Sequence, residues 1–164
     1  ICGILEEEGF VNIDSEIKKK TLQTGKVVLA ENTKIKFSYL KEKAIEGINK
    51  RKDKKPKVFD FILLHKGEPK VLIETNFYTT SGTKIGINQG EYVDLLQDVT
   101  KINEKRKTNF LFLWVTDGNY WLTKDGENRF ENLKKNYFKG DYELLNYNLL
   151  KTHLTEIKDK MENE

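Results

Sequence analysis

The sequence predicts an α/β fold in which helices flank a central, mixed β-sheet, and three stretches carry that prediction. Residues 57–78 hold two apolar, β-branched runs separated by a turn with Gly and Pro, which is typical of a β-hairpin. Residues 88–103 repeat apolar side chains at helical spacing, and residues 109–116 form an apolar run typical of a strand buried on both faces. The order hairpin, helix, buried strand indicates an α/β core.

The hairpin brings acidic residues together. If His65 to Pro69 form the loop, pairing is symmetric about the central glycine and Asp60 lies opposite Glu74, with Asn76 on the Glu74 face. Opposed like charges destabilise a sheet, and Mg²⁺ prefers carboxylate and carbonyl oxygens. We therefore expect Asp60 and Glu74 to bind Mg²⁺. The alternative is that the register slips, or that both acids lie on an exposed face and are screened by water.

The same residues resemble a known family. An Asp on one strand followed by Glu-x-Lys on the next is the signature of the PD-(D/E)xK nuclease superfamily. Residues 73–78, IETNFY, resemble a motif of its DpnII/MboI-type restriction endonucleases, and the resemblance continues through SGTK at 81–84 and WVTDG at 114–118. It covers residues 57–122, and Asn76 stands where most of the superfamily has lysine.

This resemblance implies a restriction-endonuclease-like core and a type II, site-specific deoxyribonuclease. It implies Mg²⁺-dependent hydrolysis of double-stranded DNA at a short, GATC-like palindrome by a homodimer. Asp60, Glu74 and a backbone carbonyl near Thr75 are the expected metal ligands, and Asn76 is expected to position water or phosphate. Because Asn76 carries no charge, Lys84 is the candidate for the missing lysine.

A basic run precedes the first strand of the hairpin. Residues 50–57 carry six positive charges against one negative charge, whereas the formal net charge of the whole chain is only +3. Such runs are usually solvated loops, but this one adjoins the acidic pair, which favours phosphate contacts. The predicted DNA-binding residues are Lys50, Arg51, Lys52, Lys54, Lys55 and Lys57.

The flanks are less informative. We expect a helix that ends near Gly9, a helix or strand near 26–38, a helix near 38–50, a short strand at 119–122, a helix at 129–138, an edge strand at 142–147 and a helix at 149–161. Glu7 or Glu8 is a candidate auxiliary metal ligand by the same resemblance, with a solvated helix face as the alternative. Trp114 and Trp121 are expected in the core. Gln89 and Tyr92 are candidates to face the active site from the first turns of the predicted helix, with core packing favoured for Tyr92.

Length and composition set the remaining expectations. The 164 residues predict a single nuclease domain over 1–164, and because the first residue is Ile1, we expect a fragment lacking the natural N-terminus. One cysteine, no signal layout and no apolar run of about 18 residues predict a cytoplasmic protein without membrane contact. Two other functions stay open, namely a DNA-binding module with an impaired nuclease core and a repair or junction-processing nuclease.

Overall fold

The computed structural model describes residues 1–24, 35–79 and 82–163. In these residues one curled sheet of seven strands is flanked by four α-helices. The helices are α1 Cys2–Glu7, α2 Gly82–Arg106, α3 Lys124–Asn136 and α4 Tyr147–Glu162. The strands are β1 Val11–Asn12, β2 Thr21–Leu22, β3 Phe37–Asn49, β4 Pro56–His65, β5 Glu68–Phe77, β6 Leu111–Asp117 and β7 Tyr142–Leu145.

The sheet is mixed, as predicted. Its order is β1-β3-β4-β5-β6-β7, with β2 paired to β3. The β3–β4 and β4–β5 pairs are antiparallel, while β5–β6 and β6–β7 are parallel. Parallel neighbours need a crossover, and α2 supplies it between β5 and β6. The α/β class with a central mixed sheet is therefore confirmed.

Two hydrophobic clusters cover the two faces of the sheet. One packs β-sheet residues such as Leu72 and Phe112 against Tyr92 of α2 and Leu133 of α3. The other packs the opposite face against Leu5 of α1 and the apolar side of α4. Residues along β5 therefore alternate between the α2 side and the α4 side. This alternation decides which helix each side chain of β5 meets.

Two predicted elements are wrong. The expected helix near 38–50 is the strand β3, because its pairing with β4 outweighs a composition rich in helix formers. The expected strand at 119–122 is a 3₁₀-helix, Asn119–Leu122, whose Tyr120 amide donates to the Tyr78 carbonyl. The expected helix or strand near 26–38 falls largely on residues 25–34, outside the described residues.

The other predicted elements are present, with shifted ends. The central helix begins six residues before its predicted start, at Gly82, and the predicted terminal helices correspond to α3 and α4. Strand β7 lies at the edge of the sheet, as expected. None of the described helices is long and apolar enough to span a membrane.

Candidate active site

The β4–β5 hairpin has the predicted register beside the acidic residues. Phe61 pairs with Ile73 and Leu63 with Val71, as symmetry about Gly67 requires. The turn itself is shorter than predicted, because His65 pairs directly with Glu68 and a bulge absorbs the difference. The register that brings Asp60 towards Glu74 is thus correct, although the five-residue loop is not.

Asp60 lies where the two strands part. The paired ladder ends at Phe61 and Ile73. Beyond it, the Thr75 amide and hydroxyl both donate hydrogen bonds to Asp60 Oδ2, at 2.8 and 2.9 Å. The Asp60 carboxylate thus takes the place of a ladder carbonyl, and it is held in position by β5.

Glu74 is buried against α2, with 5% of its surface exposed. Its Oε2 receives a hydrogen bond from the Tyr92 hydroxyl at 3.1 Å and lies 3.2 Å from Lys57 Nζ. Its Oε1 is buried and has no hydrogen-bond partner among the described residues. A carboxylate oxygen left in this state is costly unless a cation or a proton reaches it.

Asn76 is fixed by two donors from the core. Its Oδ1 accepts a hydrogen bond from Trp114 Nε1 at 2.8 Å and lies 3.1 Å from the Tyr92 hydroxyl, whose single proton is shared between Asn76 Oδ1 and Glu74 Oε2. Because an indole N–H can only donate, this contact establishes which atom of the Asn76 amide is the oxygen. The amide nitrogen therefore keeps its two hydrogens for other partners.

Burial and charge change the acidity of this cluster. Burial raises the pKa of Glu74 to about 7, and the neighbouring Asp60 charge acts in the same direction against Lys57 and Tyr92. Burial acts to lower the pKa of Lys57, but the Glu74 and Glu91 carboxylates outweigh it and raise that pKa. Above pH 7 the cluster therefore contains a Glu74–Lys57 ion pair. Burial and the Glu74 charge raise the pKa of Tyr92, which stays a hydroxyl donor.

The whole cluster lies within a matched family region. A model of the DpnII restriction endonuclease family matches residues 11–156. The chain belongs to this family.

Named relatives agree with that assignment. The chain is 35% identical over 109 residues to the type II restriction enzyme MjaIII of Methanocaldococcus jannaschii, which is 66% of this chain and 34% of that enzyme. It is 40% identical over 70 residues to the type II restriction enzyme LlaDCHI of Lactococcus lactis subsp. cremoris, covering 42% and 22% of the two chains. It is 37% identical over 67 residues to the type II restriction enzyme MboI of Moraxella bovis, covering 41% and 22%. No solved structure matches the chain.

These matches cover a minority of each relative. The matched part amounts to 34% of MjaIII and 22% of each of the other two enzymes, so the chain spans about a third or less of their length. The DpnII-family assignment therefore concerns this region of the fold.

The predicted metal ligands do not form a larger cluster. In the described parts of the chain, no group of three or more His, Cys, Asp or Glu side chains is arranged to hold a metal ion. Glu7 and Glu8 pair instead with Lys151 and Lys158 of α4, at 3.3 and 3.8 Å. The two-carboxylate arrangement still suits Mg²⁺, which often takes one or two carboxylates and keeps several waters. The unpartnered Glu74 Oε1 fits such an ion.

Lys84 lies on the first turn of α2 and its side chain is exposed. Among the described residues it makes no hydrogen bond or ion pair with Asp60, Glu74 or Asn76. Its catalytic role stays a prediction.

The basic run divides into three parts. Lys50, Lys52, Lys54 and Lys55 are exposed on the β3–β4 connection. Arg51 lies against α2, 3.6 Å from Asp94 and 3.7 Å from Asp98. Lys57 is buried in the candidate site, so the structure separates it from the surface cations with which it was grouped.

Sequence reasoning missed the roles of three side chains at this site. Lys57 was predicted to bind DNA with the rest of the basic run, and Trp114 was assigned to the core. For Tyr92, core packing was favoured over an orientation towards the active site. Tyr92 and Trp114 are indeed buried, but each also donates a hydrogen bond to Asn76. The helical spacing that puts Tyr92 on the sheet-facing side of α2 was the available signal, since Glu74 and Asn76 face the same side.

Proposed function

We propose that this chain is the catalytic domain of a type II restriction endonuclease. It hydrolyses double-stranded DNA at a short, GATC-like palindrome in the cytoplasm, with Mg²⁺ as cofactor and as a homodimer. The observation that carries the proposal is the position of Asp60 at the end of the β4–β5 ladder, hydrogen-bonded to Thr75, next to the buried Glu74, whose Oε1 has no hydrogen-bond partner among the described residues. The family match over residues 11–156 supports the same assignment.

Asp60 and Glu74 would hold the ion, together with the Thr75 carbonyl. When bound, Mg²⁺ polarises the scissile phosphate and lowers the pKa of a neighbouring water. Asp60 is already oriented for this by its two hydrogen bonds from Thr75. The unpartnered Glu74 Oε1 supplies the second oxygen.

The remaining side chains position the substrate. Trp114 and Tyr92 hold the Asn76 oxygen, and its amide nitrogen makes no hydrogen bond within the described residues, so its hydrogens would donate to a phosphate oxygen or to the attacking water. The exposed lysines of the β3–β4 connection would contact the DNA backbone. Two-fold symmetry in a homodimer would match the two-fold symmetry of a palindromic site.

Plasmid digestion tests this function. With Mg²⁺ we expect discrete bands, and with EDTA we expect intact plasmid. A smear would indicate a repair-type or non-specific nuclease. DNA binding without any cleavage would indicate a DNA-binding module. This alternative is favoured by Asn76, which stands where most of the superfamily has lysine. No cleavage and no binding would overturn both functions.

A further inference from the structure

We propose that Lys57 supplies the active-site positive charge that Asn76 cannot provide, and that it does so by contacting the scissile phosphate as a catalytic residue. This inference rests on the proposed function. It assigns to Lys57 the role that the sequence suggested for Lys84.

The geometry places the Lys57 ammonium at the predicted metal ligand. Nζ lies 3.2 Å from Glu74 Oε2 and 3.2 Å from Glu91 Oε1. It also lies 5.7 Å from the centre of the Tyr92 ring. Glu74 on β5 and Glu91 and Tyr92 on α2 therefore hold the Lys57 ammonium in one position.

Burial makes this placement unusual. Only 9% of the Lys57 side chain is exposed, and a lysine seldom lies so deep unless it is paired. Ordering a long side chain also costs conformational entropy. A single carboxylate partner would balance its charge, yet Lys57 has two. The pair of carboxylates holds the ammonium in place and leaves the third N–H available to another acceptor.

The ammonium is also accessible from one side. Lys57 lines a cavity of about 620 Å³ between the β3–β4 connection and α2. The other charged residues of its lining are the cations Lys50, Arg51 and Lys52 and the acids Asp53, Glu91, Asp94 and Asp98. The cations attract phosphate, whereas the acids repel it. A DNA backbone that follows the surface lysines into this cavity would bring a phosphate oxygen to Lys57.

The reaction balances without an oxidant or reductant. Water oxygen forms a bond to phosphorus, and the bond between phosphorus and one bridging oxygen breaks. One proton leaves the water for solvent, and the leaving oxygen takes up a proton. Negative charge grows on the non-bridging oxygens meanwhile, and a fixed ammonium stabilises it.

Single-turnover cleavage at saturating DNA and Mg²⁺ gives the first test. We expect Lys57→Met to lower the plateau rate by roughly 10²–10³, the scale for loss of one charge-stabilising donor. Lys57→Arg should retain part of the wild-type rate, because it keeps the positive charge. The matched control is Lys70→Met. Lys70 lies on the same hairpin, with 11% of its side chain exposed and Nζ 3.3 Å from Glu68 Oε1.

A second measurement needs no metal and no turnover. A methylphosphonate at the cleaved position, mapped with the wild-type protein, removes the charge of that phosphate. In EDTA we expect Lys57→Met to weaken binding to the normal duplex about tenfold more than binding to the methylphosphonate duplex. Lys70→Met should weaken both equally. A lysine that only neutralises Glu74 would show no such difference.

The outcomes separate this inference from the proposed function. If the wild-type protein does not cleave with Mg²⁺, the proposed function fails. If wild type cleaves while Lys57→Met folds and keeps the full plateau rate, only the assignment of Lys57 fails. A loss of activity in Lys84→Ala with full activity in Lys57→Met would assign the charge to Lys84. The Lys57→Met rate could instead recover when Mg²⁺ is raised above the concentration that saturates the wild-type protein, with equal weakening of binding to the normal and methylphosphonate duplexes. That result would leave Lys57 as a structural partner of Glu74 and overturn the proposal.

Discussion

The two ends of the β4–β5 hairpin differ in what holds them. At the turn end, His65 pairs with Glu68 across a two-residue turn, Lys66–Gly67, in which both residues have positive φ. At the site end the ladder stops at Phe61 and Ile73, and beyond it hydrogen bonds from side chains of α2 and β6 hold the residues of β5. The turn end is thus organised by local backbone chemistry, and the site end by long-range contacts.

Buried charge shows the same contrast. Near the turn, Lys70 meets one carboxylate, Glu68, which is 41% exposed. At the site end, Lys57 meets two carboxylates, Glu91, which is 43% exposed, and Glu74, which is 6% exposed. Water screens the Lys70–Glu68 and Lys57–Glu91 pairs but hardly reaches the Lys57–Glu74 pair. The site end therefore holds charges whose interactions stay strong, as catalysis requires.

The largest expected effect is on cleavage at the site end. Asp60→Asn or Glu74→Gln should lower the single-turnover rate by about 10³ or more, because each removes a ligand of an ion that supplies several kcal/mol of charge stabilisation. DNA affinity should stay the same or rise as repulsion of phosphate falls. Glu68→Gln at the turn end is the control and should cleave normally. Cleavage by either site variant at the wild-type rate would refute the metal pair.

Substitution of Gly118, which lies next to the site end, should destabilise the fold far more than substitution of the turn glycine, Gly67. Gly118 has φ of +119°, and a Cβ there would lie 2.0 Å from the Tyr78 carbonyl oxygen. Gly118→Ala should lower the free energy of unfolding by about 3 kcal/mol or more, because backbone strain adds to the clash. Gly67→Ala introduces the strain of its positive φ and should cost about 1–2 kcal/mol. Equal costs in urea denaturation would contradict this difference.

Glu74 at the site end and His65 at the turn end should make the free energy of unfolding depend on pH in opposite directions. The folded-state pKa of Glu74 is raised to about 7, so its stabilising contribution is complete below the unfolded value of 4.5 and is lost as pH rises through 7. Glu74→Gln removes this pH dependence. Its free energy of unfolding relative to wild type should therefore rise by on the order of 2–3 kcal/mol between pH 4.5 and 7.5.

The turn end supplies the control for this pH experiment. Burial, with nearby Lys66, lowers the pKa of His65. The contribution of His65 to the free energy of unfolding is therefore present above the unfolded pKa of 6.5 and is lost as pH falls below that value. His65→Asn should remove that opposite slope. A Glu74→Gln curve parallel to wild type would mean that the pKa of Glu74 is the same in the folded and unfolded states, which contradicts the raised pKa.

The smallest expected effect concerns the surface lysines. Replacing Lys52, Lys54 and Lys55 with Ala should reduce the slope of log affinity against log salt by about 0.9 for each phosphate that the variant no longer neutralises. Binding should weaken equally for all DNA sequences. Lys66→Ala at the turn end should leave the slope unchanged. An unaltered slope in the triple variant would assign these lysines to solvent.

The sequence predicted those features that depend on local patterns. Alternation and turn residues predicted the hairpin register up to Phe61 and Ile73, next to Asp60 and Glu74, and helical spacing predicted α2. The helix expected near 38–50 was wrong because pairing between β3 and β4 is a tertiary effect. The burial of Lys57 could not be predicted for a similar reason. Its charged neighbours in the sequence describe a loop, whereas its burial depends on Glu91 and Tyr92, which lie on α2.

Binding of Mn²⁺, a spectroscopic substitute for Mg²⁺, tests the metal site most directly. Electron paramagnetic resonance would count the ions bound by the protein–DNA complex beyond those bound by the same DNA alone. We predict about one additional ion per chain for wild type, displaced by Mg²⁺ and absent in Asp60→Asn and Glu74→Gln, with Glu68→Gln unchanged. An additional ion that persists in both site variants, or no additional ion in a wild-type complex that cleaves DNA, would contradict the account.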